Sequence, residues 1–255
     1  MPGAVKRIGI GIAEDAEKVL ESIIAYPGPE EVIGYCSPGT MNSLAAEYPG
    51  VRIVEHETPT EALVSDLAKG IIDAAVRGTL PANATLKALK SAMGVDHLER
   101  IALLETFDGK QFLFAPVGVD EGWTVEEKAE IIRKGRVVAQ KFGLPDKVGV
   151  LSGGRLGDIG RHSKVDASIA DAEEVARRTG AVHHEILIED AIRDCGFIIA
   201  PDGISGNLVF RTLVFLGGGH GHGAPVVNIS RIFVDTSRAS PNYTKALLLA
   251  ASLLE

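Results

Sequence analysis

Between Ala200 and Arg238 the chain reads APDGISGNLVFRTLVFLGGGHGHGAPVVNISRIFVDTSR, a stretch in which apolar β-branched runs alternate with chemically active groups. The runs Phe197–Ala200, Val226–Ile229 and Ile232–Val234 show no polar alternation, the pattern of parallel strands buried on both faces. An acid, an amide, two histidines and a closing Ser-Arg pair stand just beyond such runs. That places them at strand carboxyl ends, where open α/β sheets bind ligands. The stretch predicts a small-molecule site suited to an anion.

The rest of the chain repeats the rhythm. Lys6–Ala13 reads as a strand and Asp15–Ala25 as an amphipathic helix with Val19, Leu20, Ile23 and Ile24 on one face. Strands are expected at Glu31–Cys36, Val51–Glu55 and Ile71–Val76, with Thr60 capping a helix over Glu61–Lys69. This βαβα order predicts a mostly parallel sheet. GIGIAED near the start lacks the full G-x-G-x-x-G spacing, so close backbone packing explains its glycines better than a dinucleotide. After the fourth strand, Arg77, Gly78 and Thr79 precede a helix over Ala84–Met93 and offer a guanidinium, backbone N–H groups and a hydroxyl to a phosphate or carboxylate.

Arg100–Glu105 and Gln111–Val117 read as a hairpin around Asp108-Gly109. Thr124 and Glu127 form a capping-box pattern for a helix running to about Phe142. The loop SGGRLGDIGRHSK follows a strand at Lys147–Leu151 and precedes a helix at Val165–Thr179; Ser152 opens it as a candidate anion-binding lip. It lacks the Gly-Lys-Ser/Thr ending of a nucleotide-hydrolysing loop. His183 and His184 would point to opposite sides of an extended chain and so make poor co-ligands. A helix is expected over Ile188–Asp194 and another over Gly206–Leu216, with Ser205 near its cap and Asn207 in its first turn. His220-Gly221-His222 has metal-ligand spacing without a nearby carboxylate, and reads as a hydrogen-bonding or solvated loop with no metal.

Composition narrows the function. A length of 255 residues allows one large or two small α/β domains, and 45% hydrophobic residues with 29 glycines suit a sheet covered by aliphatic helices. A net charge of −8 argues against a nucleic-acid platform while permitting a local cationic pocket. Cys36 and Cys195 lack metal-type spacing and read as buried thiols of a reducing compartment. No apolar window approaches the ~18–20 residues that span a bilayer, so a cytoplasmic protein without membrane contact is expected.

SGNLVFRTLVFLGGG, GAPVVNI and FVDTSRASPNYTKALLLAA together resemble the end of phosphate acetyltransferases, and PDGISGNLVFR also resembles the D-G-x-x-G-N segment of PlsX-type phosphate acyltransferases. FAPVGVDEGWTVEEKAEII and KFGLPDKVGVLSGG extend the likeness to the middle of the acetyltransferases, so that it covers roughly Gln111 onward. With VRGTLPANATLKALK included, the whole chain is most similar to the methyltransferase-related MtxX family of methanogenic archaea. The resemblance implies two α/β domains of isocitrate/isopropylmalate dehydrogenase type with mostly parallel sheets and a cleft between them. The first would comprise 1–105 plus 229–255 and the second 106–228, and relatives commonly form homodimers.

By position, Ser237 and Arg238 match the Ser-Arg pair that holds phosphate or acyl phosphate, and Asn207 the Gly-Asn of the cleft helix. Thr244 stands where the acetyltransferases place the Asp proposed to deprotonate coenzyme A, and a threonine hydroxyl is no base near neutral pH. The reading is a group transferase of acyl or phosphate type acting on a phosphorylated or carboxylated small molecule. Methyl transfer and non-catalytic ligand binding are the alternatives. Asn207, Asp202 and Arg238 are the expected catalytic residues, and Arg77, Gly78, Thr79, Ser152, Ser205, Gly206 and Ser237 the anion-binding ones. Coenzyme A or a methyl carrier is the cofactor to test.

Overall fold

The computed structural model of the protein describes residues 5–254, and in it most short β-branched runs feed a helix. First come β1 (Arg7–Gly11), α1 (Ala16–Ile24), β2 (Glu31–Cys36), β3 (Arg52–Glu55), α2 (Pro59–Lys69) and β4 (Ala74–Val76). Then follow α3 (Ala82–Met93), β5 (Ala102–Glu105), β6 (Gln111–Ala115), α4 (Val125–Lys141) and β7 (Val148–Val150). The chain continues through α5 (Ser163–Thr179), β8 (Val182–His183), α6 (Ile188–Asp194), β9 (Phe197–Ile199) and α7 (Gly203–Phe215). It closes with β10 (His220–Pro225), β11 (Ile232–Asp235) and α8 (Thr244–Ser252). The fold is α/β.

These elements form two compact units, Met1–Leu98 with His222–Glu255, and Glu99–Gly221. In the first, the strand order is β3-β2-β1-β4-β11-β10. Neighbours are parallel except β10, which runs antiparallel to β11. Ile10 is level with Val76, and Val76 with Val234, so the residues following β1, β4 and β11 leave the sheet at one edge. Leu63 and Leu67 of α2 and Leu89 of α3 pack with Ile33, Ala75 and Phe233 of the strands in one buried cluster. Each of the leucine, isoleucine and phenylalanine side chains contributes roughly 1.5–3 kcal/mol by leaving water.

The second unit has the order β5-β6-β9-β7-β8. The β5–β6 hairpin is antiparallel and the other pairs are parallel. On α4 the buried face carries Ile131, Ile132, Gly135 and Ala139. The expected capping box of Thr124 and Glu127 is formed at its start.

Three local expectations are corrected. Val226–Ile229 is not a strand: the extended segment is HGHGAP, and the apolar run joins the buried cluster as loop. A short apolar run fits a strand or a core loop equally, and pairing with β11 decides it. Consequently His220 and His222 lie in β10 and not in a loop. Helix α2 starts at Pro59, whose ring suits the first helical position, and Thr60 does not cap it. Helix α7 starts at Gly203, because Asp202 and Ser205 form a capping box; Ser205, Gly206 and Asn207 thus lie inside the helix. Among the described residues, no helix is long and apolar enough to cross a membrane.

Candidate functional site

In the first unit, the common edge of β1, β4 and β11 gathers Arg77, Gly78, Thr79, Ser237 and Arg238. Arg77 is 4% exposed. Its Nε donates to Asp235 Oδ1 at 2.5 Å and its Nη1 to the Leu80 carbonyl at 2.7 Å, which fixes the guanidinium plane. Asp235 Oδ1 also accepts from the Thr236 amide at 2.9 Å. Gly78 takes φ +59°, and a Cβ there would lie 2.1 Å from the Gly11 carbonyl oxygen, so the strand end admits glycine alone without distortion. Thr236 Oγ1 donates to the Gly78 carbonyl at 3.0 Å and closes the turn from the β11 side.

Thr79 is a strut. Its Oγ1 accepts from the Ala13 amide at 2.8 Å while its own amide donates to the Gly11 carbonyl at 3.1 Å. Arg238, by contrast, is exposed, and its Nη1 meets Glu14 Oε1 at 3.2 Å. Ser237 Oγ accepts from the Ala239 amide at 3.2 Å, which leaves its O–H to donate elsewhere. Lys18 Nζ donates to the Arg238 carbonyl at 3.0 Å and stands 5.6 Å from the Tyr243 ring centroid. Tyr243 donates its hydroxyl to the Ser237 carbonyl at 3.2 Å, and burial pushes that phenol up to about 12. Thr244 Oγ1 donates to the Ser22 carbonyl at 3.4 Å.

The second unit presents an equivalent edge, where β6, β9 and β7 end together. Asp202 caps α7, its Oδ1 accepting from the Ser205 amide at 2.8 Å. A Cβ on Gly203 would come within 1.7 Å of the Gly118 carbonyl oxygen, and one on Gly206 within 1.9 Å of the Pro116 carbonyl oxygen. Those two glycines let the loop after β6 lie directly on the helix. Asn207 Nδ2 donates to the Val117 carbonyl at 2.9 Å and pins the same loop. Glu121 holds it from the other side, paired with Arg100 Nε at 2.6 Å and accepting from the Gly118 amide at 3.2 Å. Burial nevertheless raises its carboxyl above the usual range, outweighing Arg100.

Ser152 is buried; its Oγ donates to the Gly154 carbonyl at 2.8 Å and lies 2.9 Å from His183 Nε2. His184 faces the other way, with Nε2 3.5 Å from Cys195 Sγ. The expected residues therefore assemble into two groups. One holds Arg77, Gly78, Thr79, Ser237 and Arg238; the other holds Ser152, Asp202, Ser205, Gly206 and Asn207.

Sequence reasoning missed Lys18, Tyr243, Glu121 and Lys128. Only Lys128 left a readable signal, since it falls in the apolar helical register of Ile131, Ile132 and Gly135. Among the described residues, no group of three or more His, Cys, Asp or Glu side chains is arranged to hold a metal ion.

No family model matches the chain. A protein of Methanosarcina barkeri bearing the name "Putative methyltransferase mtx subunit X" is 44% identical over 255 residues, covering 97% of this chain and 93% of its own. A Methanopyrus kandleri protein named as an uncharacterized methyltransferase is 38% identical, covering 97% and 98%. Among solved structures, a branched-chain phosphotransacylase from Enterococcus faecalis aligns with a TM-score of 0.75 at 19% identity, covering 98% of this chain and 100% of that one. A phosphotransacetylase from Streptococcus pyogenes aligns with a TM-score of 0.70 at 17% identity, covering 99% and 94%. These structural likenesses establish the fold. The chain belongs to the mtx subunit X family found in Methanosarcina.

Proposed function

We propose that this protein is a group transferase that binds a phosphorylated or carboxylated small molecule through Arg238 and Ser237 and transfers its acyl or phosphoryl group. The observation that carries the reading is the convergence of three parallel strand ends on one edge. There a buried guanidinium is already neutralised by Asp235, while among the described residues Arg238 pairs with the exposed carboxylate of Glu14. An exposed pair of that kind is worth about 0–1 kcal/mol, so an incoming anion displaces Glu14 at small cost. Arg238 and the Ser237 hydroxyl would then stabilise charge developing on the transferred group, the usual large electrostatic contribution. In the second unit Asp202 caps α7 and Asn207 pins the loop after β6, which shapes that unit's own strand-end edge. The names of the structural neighbours, phosphotransacylase and phosphotransacetylase, agree with acyl transfer.

Two observations favour other readings. The relatives' names speak for methyl transfer. Thr244, bonded to the Ser22 carbonyl, supplies no base and speaks for ligand binding without turnover.

The test is a thermal-shift panel of phosphate, acetyl phosphate, coenzyme A, acetyl-coenzyme A and methyl donors on wild type and Arg238→Ala. A ligand of the native state raises the melting temperature by mass action. Stabilisation of wild type by acetyl phosphate or phosphate, lost in the variant, is the expected outcome. Equal melting of both proteins with every anion would sink the reading.

A further inference from the structure

Between β2 and β3 the chain has to cross over, because the two strands are parallel and β3 is the outermost strand at its end of the sheet. Such a crossover usually carries a helix. Here residues 37–50 form successive turns instead. The Ala45 amide donates to the Met41 carbonyl at 2.9 Å and the Tyr48 amide to the Leu44 carbonyl at 3.1 Å. Between these turns and β3 lies a cavity of about 560 Å³, lined by Met41, Ala45, Tyr48, Val51, Ile53 and Glu55. Small-molecule sites span roughly 300–1,000 Å³ and combine an apolar wall with a few polar groups, and this cavity does both. All of its lining belongs to the first unit.

Strand periodicity decides the charge of the lining. Val51, Ile53 and Glu55 alternate onto the cavity side, whereas Arg52 falls on the opposite face and donates to Glu31 Oε1 at 2.7 Å. Arg52 is the sole Lys or Arg between Ser37 and Glu57, so no ammonium or guanidinium of this segment reaches the cavity to offset Glu55. Partial burial, and then the carboxylates of Glu21, Glu17 and Glu47, hold the Tyr48 phenol above its usual range and keep the ring neutral. A half-buried tyrosine, a thioether, two β-branched side chains and one carboxylate thus share a single wall.

We propose that this cavity binds a small organic ammonium with an apolar body. Glu55 supplies the counter-charge, and the Tyr48 ring offers its face to the cation. Met41, Val51 and Ile53 take up the alkyl groups, the flexible thioether adapting to their shape. An anion would meet the wrong charge at Glu55, on a chain whose net charge of −8 already repels it. None of these residues belongs to the Arg238 and Ser237 group, so the site stands or falls apart from the transferase reading.

Isothermal titration calorimetry of the full chain at low ionic strength tests it. The probes are choline, benzyltrimethylammonium and neohexanol, the carbon isostere of choline that lacks its charge. Both cations are expected to bind saturably, with neohexanol about tenfold weaker than choline. Glu55→Gln removes the counter-charge and should weaken choline about fivefold, the worth of one ion contact in high dielectric. Tyr48→Leu keeps an apolar wall without the π face and should also weaken it about fivefold. Glu55 is exposed and Tyr48 half-buried, and an unchanged circular dichroism spectrum in each variant shows that the fold is kept. Neohexanol binding as tightly as choline overturns the assignment of an ammonium. Choline binding that neither variant weakens overturns the assignment of this cavity. No saturable heat from either cation at millimolar concentration overturns both.

Discussion

Arg77 and Arg238 look alike in sequence, each following a strand and preceding a helix, but their surroundings assign them different work. Arg77 is enclosed with Asp235, and truncating one member of a buried pair leaves an uncompensated charge costing about 3–5 kcal/mol. Arg77→Ala is therefore expected to lower the urea midpoint severely or to prevent folding. Arg238→Ala, at an exposed pair, should change stability by no more than about 0.5 kcal/mol. Equilibrium urea unfolding of the two variants decides it; equal midpoints would contradict the assignment of Arg77 as scaffold. The sequence could place both arginines at strand ends because Arg77 follows an apolar run directly and Arg238 lies four residues beyond the run Ile232–Val234. It could not show that Asp235 neutralises one of them, since that partner lies 158 residues away and is brought near only by the pairing of β4 with β11. The role of Thr79 was hidden for the same reason, its hydroxyl being spent on the distant Ala13 amide.

Elements were legible where a signal was local and obscure where pairing chose among alternatives. The Thr124–Glu127 capping box and the Asp108-Gly109 hairpin are each written within a few residues, and both form. The start of α7 was misplaced because its cap, Asp202, reads equally as a turn residue after Pro201. The β7–β8 edge shows how an element can hold more than its own sequence declares. There Ser152 donates its amide to the Glu185 carbonyl at 2.7 Å, Leu156 donates to Glu185 Oε2 at 3.0 Å, and His183 meets the Ser152 hydroxyl. Burial holds the His183 imidazolium below the usual histidine range, more strongly than Glu173 and Glu185 raise it. The unfolded chain, with a pKa near ~6.5, then takes up the proton more readily than the fold. The stability His183 contributes is therefore present above that value and lost as pH falls through its lower folded pKa. His183→Asn, which cannot ionise, should flatten this part of the acid limb in urea midpoints between pH 7.5 and 5. An imidazole titrating at or above ~6.5 by NMR would refute the assignment.

At the scale of the whole molecule, α7 is a helix whose apolar side chains the chain itself leaves largely uncovered. Its fully buried positions are Gly203 and Gly206, the two that lie against the loop after β6. Ile204, Leu208 and Leu216 are 49%, 62% and 83% exposed, and the Phe215 ring stands edge-on to Phe210 with centroids 6.0 Å apart and carries the Arg211 guanidinium carbon 5.2 Å from its own centroid. A contiguous exposed apolar stripe of this kind is suited to an interaction surface. The occupant that the charges favour is a second copy of the same helix. The molecule carries a net charge of −8, so most of its surface repels a copy, but Arg211 is the sole charged residue in the α7 sequence, and no carboxylates would be forced together there. An isologous pairing buries the stripe twice over, and with its surroundings it must reach about 1,000 Å² in total to hold. Sedimentation equilibrium at micromolar concentration should give twice the chain mass. Leu208→Asp should give the chain mass with an unchanged circular dichroism spectrum, because Leu208 is 62% exposed within its own chain. A wild-type monomer at those concentrations would overturn the pairing. A dimer that survives Leu208→Asp would move the interface away from α7, and the exposed stripe would need another partner.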